Sequence, residues 1–431
     1  SPTTDSPTTD SPTHRPMNIH YYHQFFAGPD APGPAQPRKL VEYLAVRGHH
    51  IDVVACDFNT YNEQDEPIES RTSGRGRITV HRLKTPRGIR KSLQARLNSY
   101  GRFAFAANRY ARSLPTPDVI MASIQPLFGG YAAYRNAKRF KRPFLLEIRD
   151  LWPDALVVKG AISKWQAAPL QWMAHQLYQG ADRIVSLTPG IKTELLKKQI
   201  PAHKIDLFPN GYEAAAFALP GDARTKTREQ YGWNDTFVAV YTGTHTEVTA
   251  IDVIVRAAEA LQHRPDVRVD LFGSGQSKAS CMTLARSLNL SNIHFHDPVS
   301  KSAVPSIIAG ADAGIMTLFQ SPLAHIYFEN KLIDYMGSCK PIAAAMDGVQ
   351  SDIIRNSEAG VVVGSGDAEG LANGIQSLAD APETATAMGR RGHDWVCDRL
   401  RQEVICEHYA LTLERMADGR IAQHSTWDPF A

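Results

Sequence analysis

With 431 residues, 43% of them apolar and 21% charged, the chain has the size and composition of an ordinary folded protein of two or three domains. Its formal net charge of +3 excludes a polycation. Its five scattered cysteines, none in Cys-x-x-Cys spacing, argue against a disulfide framework or zinc site and fit reduced thiols. No apolar run approaches the roughly 18 residues that span a bilayer, and no secretory signal pattern opens the sequence, so a cytoplasmic protein is expected.

Residues 1–16, SPTTDSPTTDSPTHRP, carry too little apolar content to offset their ordering entropy and are expected to form a disordered tail. A strand is predicted over Asn18–Phe25. A Gly/Pro loop around Gly28 and Gly33 follows. Leu40, Tyr43 and Leu44 share one face of a predicted helix, Arg38–Arg47, which Gly48 is placed to cap. Short apolar runs at Ile51–Cys56, Asp118–Ser123, Pro143–Ile148 and Arg183–Leu187 read as buried strands. The pattern restarts at Phe237–Thr242 and continues through Arg268–Phe272, Asn292–Phe295, Ala313–Thr317, Pro341–Ala344 and Gly360–Val363. Helices such as Ala250–Gln262 and Ala279–Leu288 intervene. This alternation predicts an α/β protein of two doubly wound, Rossmann-like domains facing a cleft. The segment Phe208–Gln230, with Pro209-Asn210-Gly211, Pro220 and Gly221, is the expected hinge.

In such sheets ligands bind beyond the carboxyl ends of the strands. Gly273-Ser274-Gly275 directly follows one strand and opens a helix. Glycines there let backbone N–H groups approach a phosphate, and the helix N-terminus adds partial positive charge. A tight turn alone would also explain them. Lys278 lies in the first helical turn, within reach of a diphosphate. Thr242-Gly243-Thr244-His245 ends another strand. Lys331 and Asp334, three apart on one predicted helix, suit a phosphate and a ribose respectively, or an intrahelical ion pair.

In this order and spacing, residues 17 to about 416 resemble retaining glycosyltransferase family 4, in the branch that builds bacterial surface polysaccharides. The matching stretches are the Gly/Pro loop with Arg38 and Arg47-Gly48-His49, Glu147-Ile148-Arg149-Asp150-Leu151-Trp152-Pro153, and Ala181-Asp182-Arg183-Ile184-Val185. They continue with Phe208-Pro209-Asn210-Gly211, Tyr241-Thr242-Gly243, Gly273-Ser274-Gly275 with Lys278, and Lys331-Leu332-Ile333-Asp334-Tyr335. The resemblance implies the glycosyltransferase-B fold. It implies an acceptor domain over 17–212, a nucleotide-sugar domain over 213–394, a helix over 395–417 crossing back to the first domain, and a tail over 418–431.

It also implies the site. Arg149, Asp150, Lys278 and Lys331 would be catalytic. Gly243, Thr244, His245, Gly273, Gly275, Glu329, Asn330 and Asp334 would bind the donor, and Gly33, Arg38, Gln125 and Trp152 would face the acceptor. The co-substrate would be a nucleotide diphosphate sugar, by resemblance UDP-linked, carrying a hexosyl or N-acetylhexosaminyl group. No cofactor or metal is expected, in keeping with a sequence that contains no Asp-x-Asp. His49 and His50 read as structural. The chain departs from the family at three places. Ile326 stands where the first of two paired glutamates is usual, Glu329-Asn330 precedes Lys331 in place of Pro-Ser, and Thr244–Thr249 replaces a glycine-rich tract. A nucleotide-sugar epimerase of the same fold and a non-catalytic sugar-nucleotide-binding protein are the alternatives.

Between Arg71 and Pro117 there are twelve Lys/Arg and no Asp or Glu. Ile89–Arg112 within it has helical composition. Such a segment (71–112) suits peripheral contact with an anionic membrane at the inner face of the plasma membrane, where a lipid-linked acceptor glycan would be met. A solvated basic face or a site for an anionic acceptor fits equally. No nucleic-acid-binding motif accompanies the patch.

Overall fold

The computed structural model describes residues 15–29, 31, 33, 35–89, 91–124, 126–158, 160–423 and 425–430. Residues 1–14 of the expected tail and Gln125, assigned to the acceptor side, lie outside the described residues.

The first sheet has eight strands: β1 (Asn18–Tyr22), β2 (His50–Cys56), β3 (Glu69–Ser73), β4 (Gly76–Leu83), β5 (Val119–Ser123), β6 (Phe144–Ile148), β7 (Arg183–Ser186) and β8 (Ile205–Leu207). Their order is β3-β4-β2-β1-β5-β6-β7-β8, and every pairing but β3–β4 is parallel. The second sheet has β9 (Phe237–Thr242), β10 (Val267–Phe272), β11 (Ile293–His296), β12 (Ala313–Thr317), β13 (Ile342–Ala345) and β14 (Gly360–Val363). Its order is β11-β10-β9-β12-β13-β14, all parallel. The reversal of order beside β1 and β9 is the switch point at which such sheets bind ligands.

The helices of the first half are α1 (Gln36–Val46), α2 (Leu93–Tyr110), α3 (Leu127–Phe140), α4 (Asp154–Val158), α5 (Lys164–Gly180) and α6 (Pro189–Lys197). The second half adds α7 (Ala223–Tyr231), α8 (Ile251–Ala260), α9 (Lys278–Ser287), α10 (Val304–Gly310), α11 (Asn330–Gly337), α12 (Val349–Asn356), α13 (Ala368–Asp380), α14 (Pro382–Arg399) and α15 (Gln402–Ala417). Local chemistry sets several starts. The Ser92 hydroxyl accepts from the Ala95 N–H, Ser163 and Gln166 form a reciprocal capping box, and Thr188 accepts from Ile191; these satisfy donors that a helix start leaves unpaired. Strands such as β5 and β13 are buried throughout, as expected of parallel sheets covered on both faces. Each sheet accordingly separates two apolar cores.

One sequence expectation is corrected. The crossing helix does not begin at Trp395. Val396 and Leu400 pack in the second half's core, the chain breaks after α14, and only α15 lies on the first half, through Ile405, Tyr409, Leu413 and Met416. The break is fixed by Tyr212, whose N–H donates to Leu400 and whose carbonyl accepts from Gln402 (2.6 and 2.9 Å). The basic stretch opens in the β3–β4 hairpin, which the sequence did not reveal and whose turn residue Gly74 has φ +60; its helical part, expected within Ile89–Arg112, is α2. Some of its cations are engaged by groups elsewhere in the chain. Arg71 binds Glu42 (2.7 Å), Arg87 pairs with Asp65, and the buried Arg82 donates to the Phe26 carbonyl (2.6 Å). His49 is structural, as read: its ring lies between the Met17 N–H (3.3 Å) and Glu414 (3.1 Å).

Candidate active site

The loops after β9 and β10 interlock. Gly243 N–H donates to Phe272, His245 N–H to Ser274, and Ser277 N–H to His245 (2.9, 2.9 and 3.0 Å). Such contact requires glycine. A Cβ on Gly273 would fall on the Gly243 carbonyl oxygen and one on Gly275 on that of His245, and both residues have positive φ (+149 and +158).

Beneath these loops lies Lys331, in the first turn of α11. The helix is held to β9 by Tyr335, whose hydroxyl accepts from the Thr242 N–H (3.0 Å). Lys331 Nζ donates to the Tyr241 hydroxyl (2.8 Å), lies 4.1 Å from the centre of the Tyr241 ring and 3.1 Å from Glu329 Oε2. Burial alone would push its pKa down, but Glu329, Tyr241 and Tyr335 outweigh it and the shift is upward. The ammonium therefore stays charged.

His245 is fully buried, and neither ring nitrogen has a hydrogen-bond partner among the described residues. Burial, then the charges of Lys278 and Lys331, push its pKa down to about 4, so a neutral ring lies between two cations. Lys278, the first residue of α9, donates to the carbonyls of Gly273 (3.0 Å) and His296 (2.7 Å) and to Asp297 (3.3 Å). In this geometry it braces the glycine turn from behind and adds its charge to the loop. Thr244 shapes the same loop, its carbonyl accepting from the Tyr241 hydroxyl (2.8 Å).

One residue the sequence reading missed also belongs here. Gln350, at the start of α12, is buried. Its Oε1 accepts from the Glu329 N–H (2.8 Å), while its Nε2 has no partner among the described residues. No motif marks it. It is brought to Glu329 by the fold alone.

Asp334, one helical turn from Lys331, lines a cavity that Lys331 does not. A space of about 340 Å³ between the two halves is lined by Lys39, Glu213, Phe217, Lys301, Asn330 and Asp334. Burial raises the Asp334 pKa to about 7 against the opposing charges of Lys301 and Lys331. Lys301 donates to the Gly33 carbonyl across the cleft. The native state thus keeps a proton on Asp334 between pH 3.8 and 7 that the unfolded chain has released. The resulting stability is full below pH 3.8 and lost as pH rises through 7. Asp334→Asn is therefore expected to unfold at higher temperature than the wild type at pH 8 and at the same temperature near pH 3.5, as calorimetry will show. An equal melting temperature at pH 8 contradicts the assignment.

On the opposite wall, Arg149 and Asp150 close β6. The Arg149 guanidinium is fully engaged by Gln36 (2.8 Å), Glu147 (2.9 Å) and Asn210 (3.0 Å). Asn210 in turn donates to Asn330 Oδ1 (2.6 Å). This chain of bonds ties the first half, through the hinge, to the start of α11, and Arg149 also lines the cavity beside Asp150. Asp150 and Trp152 line a cavity of about 410 Å³ with Arg96, Tyr100, Ala155 and Leu156. Burial, and then the Asp150 charge, raise the pKa of Tyr327 of the second half. Arg38 is turned away from the cleft. It makes two bonds to Glu69 (2.9 and 2.8 Å) and two to the Ala27 carbonyl (3.1 and 2.7 Å), so its effect on an acceptor would run through the Gly/Pro loop.

Residues 35–211 match the glycosyl transferase 4-like domain, and residues 236–381 match the glycosyl transferases group 1. The putative colanic acid biosynthesis glycosyl transferase WcaI of Escherichia coli K12 is 24% identical over 64% of this chain and 71% of its own. A GDP-mannose-dependent phosphatidylinositol monomannoside mannosyltransferase of Mycolicibacterium smegmatis is 24% identical over 54% and 63%. Among solved structures, Anabaena HepE in complex with UDP-glucose has a TM-score of 0.68 at 16% identity, covering 92% of this chain and 99% of its own. Sucrose-phosphate synthase from Thermosynechococcus elongatus has a TM-score of 0.72 at 20% identity, covering 92% and 98%. These structural likenesses carry the fold, and the two domain matches carry the family: the chain belongs to the family 4 glycosyltransferases and has the glycosyltransferase-B fold.

Proposed function

We propose that the protein transfers a hexosyl or N-acetylhexosaminyl group from a UDP-linked donor to an acceptor hydroxyl, with retention at the anomeric carbon, in cell-surface polysaccharide or glycolipid synthesis. The observation that carries this reading is the junction of the Gly243 and Gly273 loops over Lys331 and His245. A buried imidazole with no hydrogen-bond partner among the described residues is costly in a ligand-free core; a diphosphate would supply that partner and a second anion to the Lys331 ammonium beside it, which is paired with Glu329. Among the relatives, HepE is seen with UDP-glucose and WcaI is named for colanic acid biosynthesis, whereas the Mycolicibacterium smegmatis enzyme is named as GDP-mannose-dependent.

As the donor bond breaks, negative charge grows on the departing phosphate and positive charge on the sugar. Lys331 stabilises the first directly. The neutral His245 ring donates one hydrogen bond, and Lys278 and the α9 and α11 N-termini add field. This reading needs no metal. Asp150, on the acceptor wall, orients the acceptor hydroxyl and supports the cationic sugar. Glu329 and Gln350 lie beside the diphosphate and read the sugar hydroxyls. The acceptor is a glycan or lipid-linked glycan at the inner face of the membrane, with the basic segment 71–112 toward the lipid.

Asp150→Asn is expected to lower kcat about 100-fold, or about 2.7 kcal/mol at the transition state, with an unchanged melting temperature. UDP release from UDP-sugars, assayed with and without added glycan acceptors, checks it. An intact rate in the variant removes Asp150 from the chemistry. Donor conversion independent of any acceptor favours the epimerase.

A further inference from the structure

Helices α2, α3 and α5 lie side by side on one face of the first sheet. Gly129 of α3 abuts Phe103 of α2, and Gly130 abuts Leu177 of α5, with all three helices contributing to one core. None of the three contains an Asp or Glu. Their outer surface presents Arg102, Arg109, Arg135, Lys138 and Arg139, all exposed, and none of these has a carboxylate partner among the described residues. Asp154 of the neighbouring α4 is already paired with Lys198 (3.0 Å). Three aromatic side chains stand out from the same layer. Phe105 is 73% exposed among the α2 arginines, and Trp165 and Trp172, two turns apart on one face of α5, are 79% and 58% exposed. Water is a poor environment for such indoles, whereas the boundary between headgroups and acyl chains accommodates them.

We infer that the outer surface of the α2–α3–α5 layer docks on an anionic lipid bilayer, its cations facing headgroups and Trp165, Trp172 and Phe105 entering the interface. A purely cationic polymer-binding face would not call for the indoles. The docking also sets the route of the acceptor. The cavity beside Asp150 is rimmed by Arg96 and Tyr100 of α2, Pro126 at the start of α3, and Leu156 of α4. Leu156 is bonded to Ala161 (2.9 Å) at the entry to α5. The cavity thus opens at the edge of the docking layer, so an acceptor held in the bilayer by a lipid enters without leaving the surface. This rests on the transferase reading and extends it from the basic segment to three helices.

The full chain should be sedimented with phosphatidylcholine vesicles, with and without phosphatidylglycerol. Binding is expected only with phosphatidylglycerol, to weaken as salt rises, and to shift tryptophan emission to the blue. Arg135→Gln with Lys138→Gln should weaken binding roughly 30-fold, from about 1 kcal/mol per cation. Trp165→Ala with Trp172→Ala should weaken it at least about tenfold and abolish the blue shift. Absence of vesicle binding at low salt overturns the proposal, as does tryptophan-independent binding matched by heparin, which marks a polyanion site. Stabilisation of the same protein by UDP separates the two readings, because it persists if only the docking is wrong.

Discussion

Replacing Lys331 by methionine is expected to lower kcat at saturating donor by about 10²–10³-fold, the usual cost of removing one preorganised charge from a developing anion. Methionine keeps the length and apolar stem of the side chain and removes only its charge and donors. The ammonium lies between Tyr241 and Glu329, 7% exposed, where field strength is far greater than in water. The variant leaves Glu329 without its cation, so some loss of stability accompanies the loss of rate. Activity should therefore be normalised to folded protein, measured by circular dichroism. A variant that turns over near the wild-type rate removes Lys331 from phosphate stabilisation.

Gly273→Ala should act on binding before chemistry. Its methyl would occupy the position of the Gly243 carbonyl oxygen, at a φ of +149, so the β9 and β10 loops must part. Overpacking of this kind costs about 1–3 kcal/mol. With the loops as the proposed phosphate cradle, UDP affinity is expected to fall on the order of 100-fold. Gly364→Ala is the control, since a Cβ there meets nothing within 4 Å and should change neither stability nor affinity. Equal UDP affinity in Gly273→Ala and wild type would show that the nucleotide does not use these loops.

All six strands of the second sheet, five of the eight in the first (β3, β4 and β8 were not predicted) and the glycine loops were legible in the sequence because their signals are local. A short apolar run ending in Gly-x-Gly before a helix means the same thing wherever it occurs. What was illegible depends on partners far along the chain. Arg38 reads as a cleft residue until Glu69 arrives from a hairpin whose arginines conceal its alternation. Arg149 reads as catalytic beside Asp150, and nothing local shows that Gln36 and Asn210 also hold it. Asp334 stands one helical turn from Lys331, but its cavity is assembled by Lys39, Glu213 and Lys301 from three separate segments. The break between α14 and α15 is set by Tyr212, nearly two hundred residues earlier. The acid-free layer is partly visible in composition, but only packing shows that α3 and α5 extend the basic α2.

Thermal unfolding with a panel of nucleotide diphosphates will show whether the junction of the two glycine loops over Lys331 is the proposed nucleotide-diphosphate site. At 100 times its dissociation constant, a ligand of the native state stabilises by about 2.7 kcal/mol. UDP is expected to raise the melting temperature of the wild type, and to raise that of Lys331→Met and Gly273→Ala much less. A wild type that no nucleotide diphosphate stabilises, or variants that respond as fully as the wild type, would contradict the account.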